Sequence, residues 1–457
     1  MATVFVAAMF INIIDATVVN VALPTIARDL GVPVEHTATV NIGFLVAVAV
    51  AIPVVGWLGD RFGPRGVFIV ALSAFTAASA ACGLAGTVGQ LVVFRILQGL
   101  GGGLMTPSGM AMLYRTFPPQ ERVRVSKMTN VPIAIAPTIG PVLGGLLVEH
   151  ASWRWIFGLN VPVGIAALAF TFAFVSPLPR SVNHRLDIAG FLLAGVGFAG
   201  LMFAVSEGPS HGWGSPLILG AGLTGVVLLS VLVPVQLSLV HPMLNLRLFA
   251  LKLFRTANVI TICSSAGFLG GLFVYPLMLQ NALGYSAFDA GLLTFPEALG
   301  VMVGTQLVGR FYARVGPRRL VAAGQFTVGC ALLVMALVMT AQTPVVVPIV
   351  LMAVMGLAQA HTFMPLQAAA FDTVPRADIG AATGLYNATR QAGSAVGVAI
   401  AATVISLIGV GSTPQAALEP FRWAMIACAC FPLIASLFAL WQVNDADAAP
   451  SRGLAPK

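Results

Sequence analysis

The chain has 457 residues, of which 58% are hydrophobic and only 8% charged, with a mean hydropathy of +0.95 and a formal net charge of +8. Soluble domains carry roughly 25% charged residues, so this balance excludes a soluble globular protein and places the chain in a membrane. The basic excess does not read as a nucleic-acid surface, because the basic residues are scattered over short loops and form no patch or tail.

A membrane-spanning helix needs about 20 mainly apolar residues. Taken in chain order, the sequence predicts fourteen spans at 2–24, 39–58, 66–88, 90–113, 125–149, 153–175, 187–206, 216–239, 257–280, 288–311, 318–340, 345–370, 379–408 and 420–442. The first apolar run lacks a basic leader and is long enough to span, so it reads as a retained helix and not as a cleaved signal. An even count puts both termini on one side, and the distribution of Lys and Arg chooses that side. Of the 23 basic residues, eighteen lie in loops after even-numbered spans or in the C-terminal tail. Only Arg28, Arg154 and Arg422 lie in the opposite loops, while Arg95 and Arg390 fall within spans. Both termini are therefore expected in the cytoplasm, with the chain in the plasma or inner membrane.

The first span reads FINIIDATVVNVALP and holds Asp15 near its midpoint, with Asn12 one turn earlier. A carboxylate at that depth costs several kcal/mol unless compensated, and intramembrane acids usually mark ion or proton paths. Asp15 is a candidate proton carrier; the alternative is a structural hydrogen bond to a neighbouring helix. Arg95 lies about 8 Å into the fourth span from its outer end and Asp15 about 14 Å deep, at 1.5 Å per residue. A long Arg side chain bridges that difference, either to Asp15 or to an intermediate polar group. The alternative is an Arg that reaches up to the outer interface. In the second half, Glu297 in the tenth span and Arg390 in the thirteenth form another buried acid and base. Glu297 serves either a cationic substrate or a second proton, or else forms a fixed salt bridge with Arg390. With Asn12, Gln391 and His361 these residues make up the candidate substrate cavity, although a lone membrane histidine is more often hydrogen-bonded structure.

Gly140, Pro141, Gly144 and Gly145 place small residues one turn apart on the fifth span, allowing a close helix approach. Between the eighth and ninth spans, VHPMLNLRLFALKLFRTAN mixes Leu and Phe with Arg247, Lys252 and Arg255. It reads either as a short amphipathic segment on the inner surface or as an ordinary loop. The five cysteines, Cys82, Cys263, Cys330, Cys428 and Cys430, sit in apolar segments without metal-ligand spacing and read as packing residues. No metal site and no cofactor are expected, and no nucleophile or base converges as an enzyme would require.

Two stretches repeat. GWLGDRFGPR (56–65) recurs as GRFYARVGPR (309–318), matching Gly56, Arg61, Gly63, Pro64 and Arg65 to Gly309, Arg314, Gly316, Pro317 and Arg318. LMTP…TFP, from Leu104 to Pro118, is echoed by FMP…TVP, from Phe363 to Pro375. Repeats in one orientation imply a pseudo-two-fold axis along the membrane normal, as in transporters that rock about a central site. The expected fold is all-α and polytopic, with two six-helix bundles at 1–175 and 257–442. Two inserted helices and a linker occupy 176–256, and a short polar tail covers 443–457.

In these motifs the sequence resembles the major facilitator superfamily, and within it the fourteen-span drug:proton antiporters. GWLGDRFGPR is similar to the loop 2–3 signature, RILQGLGGGLMTP (95–107) to the fourth-span motif, and APTIGPVLGGLL (136–147) to the fifth-span antiporter motif. IDATVVNVALP (14–24), WRWIFGLNVPVG (153–164) and NATRQAGSAVG (387–397) resemble the drug subfamily more specifically. The resemblance implies a proton-driven exporter of lipophilic or cationic drugs and antibiotics, working on small molecules and protons in the bilayer as a monomer, alone or with accessory efflux components. It also implies that Asp60 meets a helix N-terminus in a cytoplasmic gate with Gly56, Arg61, Gly63, Arg65 and Arg314. Ala313 stands at the Asp position of the second copy, so that lock would be one-sided. A dedicated exporter of one metabolite or self-made antibiotic is the alternative on the same fold.

Overall fold

The computed structural model describes residues 2–117, 121, 136, 139–140, 143–176, 186–240, 242–340, 342–375, 378–409 and 414–443. Its elements are α1 (Ala2–Asp29), α2 (Val34–Ala51), α3 (Val55–Phe62), α4 (Pro64–Gly83), α5 (Val88–Thr116), α6 (Arg154–Gly158), α7 (Asn160–Phe174), α8 (Ile188–His211) and α9 (Pro216–Ser238), followed by α10 (Lys252–Asn281), α11 (Ala287–Val315), α12 (Pro317–Val338), α13 (Val346–Ala370), α14 (Ile379–Ile408) and α15 (Pro414–Gln442). Residues 143–150 are also helical. Among the described residues there is no strand, in line with the all-helical expectation.

The count of fourteen spans is not established. Twelve helices are long and apolar enough to cross a membrane, or thirteen if α1 is one bent span. The expected fifth span, 125–149, lies mostly outside the described residues. Within α1, the segments Val4–Val19 and Ala22–Asp29 meet at 64°. Pro24 sits inside this helix, where it removes one backbone hydrogen bond and crowds the carbonyl four residues earlier, a sufficient cause of a kink. A short 3-10 turn, Ile52–Val54, joins α2 to α3 at Pro53, so these two helices form one span.

The internal repeat is visible in the backbone. Gly63 (φ 80°) and Gly316 (φ 84°) both take left-handed conformations, and each is followed by a proline at the first position of the next helix. Only glycine adopts such angles at no steric cost, and proline is preorganised for a helix start. Other helices begin on side-chain caps, with Thr87, Asp187, Ser215 and Ser286 accepting from backbone N–H groups three residues on. In α5 the run GLGGG lets three neighbours approach at once. Gly99 and Gly103 lie against the α2 backbone at Phe44 and Val48, Gly101 against α4 at Ala71 and Phe75, and Gly102 against Asn12 of α1.

The pair α8 and α9 packs through Gly197, Gly200 and Gly225, then docks on α2 and α14. A hydrogen bond from Trp213 Nε1 to Thr403 Oγ1 (2.8 Å) ties this pair to α14. The linker that follows reads from the sequence either as a short amphipathic segment or as an ordinary loop. It forms only a five-residue 3-10 turn, Leu246–Ala250, whose Leu248 is buried. Arg247 turns back to donate to the carbonyls of Leu237 and Leu239 at the end of α9. Lys252 and Arg255 already belong to α10.

Candidate functional site

Asp15 and Arg95 are both fully buried and form an ion pair through Arg95 Nη1 and Asp15 Oδ2. The other carboxylate oxygen accepts from Gln98 Nε2 (2.9 Å) and from Asn160 Nδ2 (2.7 Å). Both amides also donate to Ser79 Oγ, at 3.1 and 3.0 Å, and Ser79 in turn donates to the Phe157 carbonyl. Gln98 Oε1 accepts from Arg95 Nη1 at 2.8 Å. The guanidinium lies 4.1 Å from the centre of the Phe44 ring, a cation–π contact made inside a desolvated site. Five helices, α1, α2, α4, α5 and α7, thus converge on one carboxylate–guanidinium pair. Arg95 Nε and Nη2 remain without hydrogen-bond partners. Of the two readings for Arg95, the structure selects the pair with Asp15 over a reach to the interface.

Asn12 is half-buried, and its Nδ2 faces Thr106 Oγ1 at 3.5 Å. From the fifth span, Gly140 lies against Thr17 of α1, Gly144 is buried and Gly145 half-buried. Pro141 lies outside the described residues.

In the second half, Glu297 is 2% exposed on the inner stripe of α11, and its Oε1 has no hydrogen-bond partner. Gly356 of α13 packs directly on its backbone. Among the described residues Glu297 makes no ion pair, so the expected alternative of a fixed salt bridge with Arg390 is not formed. Arg390 is half-buried and donates to Asn387 Oδ1 at 3.3 Å. Gln391 is half-buried on the same helix. His361 Nδ1 bonds the Leu357 carbonyl of its own helix at 2.7 Å, the structural role expected of a lone membrane histidine. A second polar knot lies nearby. Gln325 Nε2 donates to Ser264 Oγ (3.1 Å) and to Thr362 Oγ1 (2.8 Å), and Gln359 Nε2 also reaches Ser264 (3.1 Å). It draws on the first, third and fourth helices of its half, as the Asp15 cluster does, and carries no charge.

The two halves meet at the end that carries Gly63 and Gly316. Gly56 of α3 lies against the backbone of Ala381 at the start of α14. Asp60 Oδ1 accepts from Arg115 Nη2 at 2.7 Å, and both atoms border Gly380 in the first turn of α14. A carboxylate at a helix N-terminus meets the positive end of its dipole. Asn245 Nδ2 reaches the α14 cap residue Asp378 at 3.2 Å. Deeper in the seam, Met110 Sδ accepts from Asn387 Nδ2 (3.3 Å), and Tyr114 stacks on Phe371 with centroids 4.7 Å apart. The other expected gate residues have contacts in the halves that carry them or are exposed. Arg61 lies over the Trp57 and Phe62 rings, Arg65 donates to the Thr171 and Phe172 carbonyls, and Arg314 is exposed.

The sequence reading missed Gln98, Ser79 and Asn160. A signal for Gln98 was present, because it follows Arg95 by three residues and so shares its helix face. Asn160 opens an apolar helix, whereas Ser79 in an alanine-rich run offers no signal at all.

The family pattern of the Major Facilitator Superfamily matches residues 5–187 and 257–456. The chain is 35% identical over 409 residues to the putative multidrug resistance protein MdtD of Escherichia coli O1:K1, covering 88% of this chain and 84% of that one. It is 33% identical over 398 residues to the multidrug resistance protein B homolog of Mycobacterium tuberculosis, covering 86% and 73%. Among solved structures, the human organic anion transporter MFSD10 superposes with a TM-score of 0.68 at 15% identity, covering 96% of this chain and 98% of that one. The proton:xylose symporter XylE superposes with a TM-score of 0.69 at 14% identity, covering 99% and 97%. These two share the fold alone. Helices of spanning length and the family match agree: this chain belongs to the major facilitator superfamily and is a multi-pass membrane transporter, not an enzyme.

Proposed function

We propose that the chain is a proton-coupled antiporter that exports lipophilic organic compounds, drugs among them, by alternating access. The observation that carries this reading is the fully buried Asp15–Arg95 pair with three donors on one carboxylate. A proton on Asp15 removes the charge that holds Arg95, and the guanidinium must then find other acceptors. The pair is thus a two-state element whose balance a proton shifts, which is what coupling requires. The names of the relatives from Escherichia coli and Mycobacterium tuberculosis support drugs as cargo. The surplus of basic residues at the Gly63 and Gly316 end supports a cytoplasmic placing of the seam and of both termini. On that orientation the two halves are closed toward the cytoplasm.

The same reading divides the chain into bundles at 1–175 and 257–442 that rock about the seam, the inserted helices within 176–256, and a tail at 443–457. No cofactor is required, since the membrane field supplies about 2.3 kcal/mol per charge per 100 mV. Drug-dependent proton movement in proteoliposomes tests the proposal. It is expected for the unaltered chain and lost in Asp15→Asn; coupling that survives the substitution overturns the role of Asp15.

A further inference from the structure

Four charged residues, Asp15, Arg95, Glu297 and Arg390, lie deep in the spans outside the gate, and they differ in what can reach them. Asp15 and Arg95 neutralise each other at zero exposure. Glu297 is 2% exposed on α11, with Gly356 of α13 against its backbone. Arg390 alone is half-buried, and among the described residues no carboxylate pairs with it. Its depth is about 17 Å from the start of α14 at 1.5 Å per residue, near the middle of a hydrocarbon layer about 30 Å thick.

Arg390 also has a definite place relative to the seam. It follows Asn387 by three residues and precedes Gly393 by three, so it lies on the helix face between them. Asn387 meets Met110 across the seam, while Gly393 lies against Ile262 of α10. Arg390 therefore stands one turn beyond the seam on the second half. On the first half, Thr106 is one turn beyond Met110 on α5, with Asn12 against it. Asn12 Oδ1 has no hydrogen-bond partner.

From this we infer that the substrate class of the proposed transporter is organic anions, a carboxylate or similar acidic group on an apolar body, with the anion docked on Arg390. The inference rests on the exporter reading and sets an anionic group where the sequence resemblance implied lipophilic or cationic drugs. A guanidinium in the membrane interior is costly without a counter-charge, and a bound carboxylate supplies one through two parallel N–H···O bonds. Aliphatic and aromatic side chains around the seam would hold the apolar body. An inside-negative potential also favours outward movement of an anion, by the same 2.3 kcal/mol or so per charge per 100 mV.

The test uses one ring system with three charges: 2-naphthoate, 2-naphthylmethanol and 2-naphthylmethylammonium. Their binding to the purified full-length chain in detergent is measured by isothermal titration calorimetry. The unaltered protein is expected to bind naphthoate at least tenfold tighter than the ammonium compound. Arg390→Gln should cut that ratio below threefold, and Arg390→Lys should keep naphthoate preferred. Tighter binding of the ammonium compound, equal binding of all three, or no binding of any overturns the anion assignment. A preference for naphthoate that persists in a monodisperse Arg390→Gln protein overturns Arg390 as its cause. Binding in detergent needs no proton gradient, so a failure of proton coupling in proteoliposomes remains a separate result.

Discussion

Replacing Asp15 by Asn changes one oxygen to an amide group and little else in shape. The surrounding donors leave that group no good orientation. With its carbonyl toward Gln98 and Asn160, the new NH2 faces the Arg95 Nη1 donor; flipped, it faces two amide NH2 groups. Either way Arg95 becomes a buried cation without a counter-charge, with Nε and Nη2 already unpartnered. Removing one partner of a buried pair costs about 3–5 kcal/mol, whereas replacing both by groups of similar volume is often neutral. Asp15→Asn should therefore destabilise by about 3–5 kcal/mol, and Asp15→Asn with Arg95→Met should recover most of that loss. Unfolding in mixed micelles of the two single variants and the double variant measures the coupling, expected at about 5 kcal/mol because each single variant breaks the same buried pair, above the 0.5–3 kcal/mol or so usual for residues in contact. Proton coupling should stay lost in the double variant even where stability returns. Additivity within about 0.5 kcal/mol would refute the view that the pair, and not each side chain separately, holds the five helices together.

Two further substitutions address the seam and the second half. Gly56→Val sets a branched side chain where a Cβ already meets Ala381 at 3.0 Å; it should part the halves at the Gly63 end, raising labelling of a cysteine placed at 381 and lowering transport severalfold. Gly356→Ala drives a methyl group into the Glu297 carbonyl, and overpacking of this kind costs about 1–3 kcal/mol, read as a lower unfolding midpoint in detergent.

Several features were legible in the sequence because they follow from local chemistry. Apolar runs of spanning length fix where helices lie, and the Gly-Pro step at 63–64 and 316–317 marks two helix junctions with the same backbone geometry. Asp15 stood out by its cost in an apolar run, as did Arg95, and their depths were compatible before any contact was known. What the sequence leaves open is which partner each charge takes. Asp15 and Arg95 pair while Glu297 and Arg390 do not, although both couples are an acid and a base within spans.

Helical periodicity orients a residue around its own axis and carries no information on which other helix lies opposite. That choice is made by packing over long separations: the GLGGG run brings α1, α2 and α4 onto α5, so that Ser79 accepts from Gln98, while Asn160 of α7 donates to both Asp15 and Ser79. The half-buried placing of Arg390 likewise appears only once α14 is set against the first half. The sequence by itself determined the class of the molecule and the depth of its charged groups, since both depend on the free energy of transferring side chains from water. Tertiary structure alone decided which charges are cancelled and which remain open, since Coulomb pairing depends on distances that close only between helices far apart in the chain.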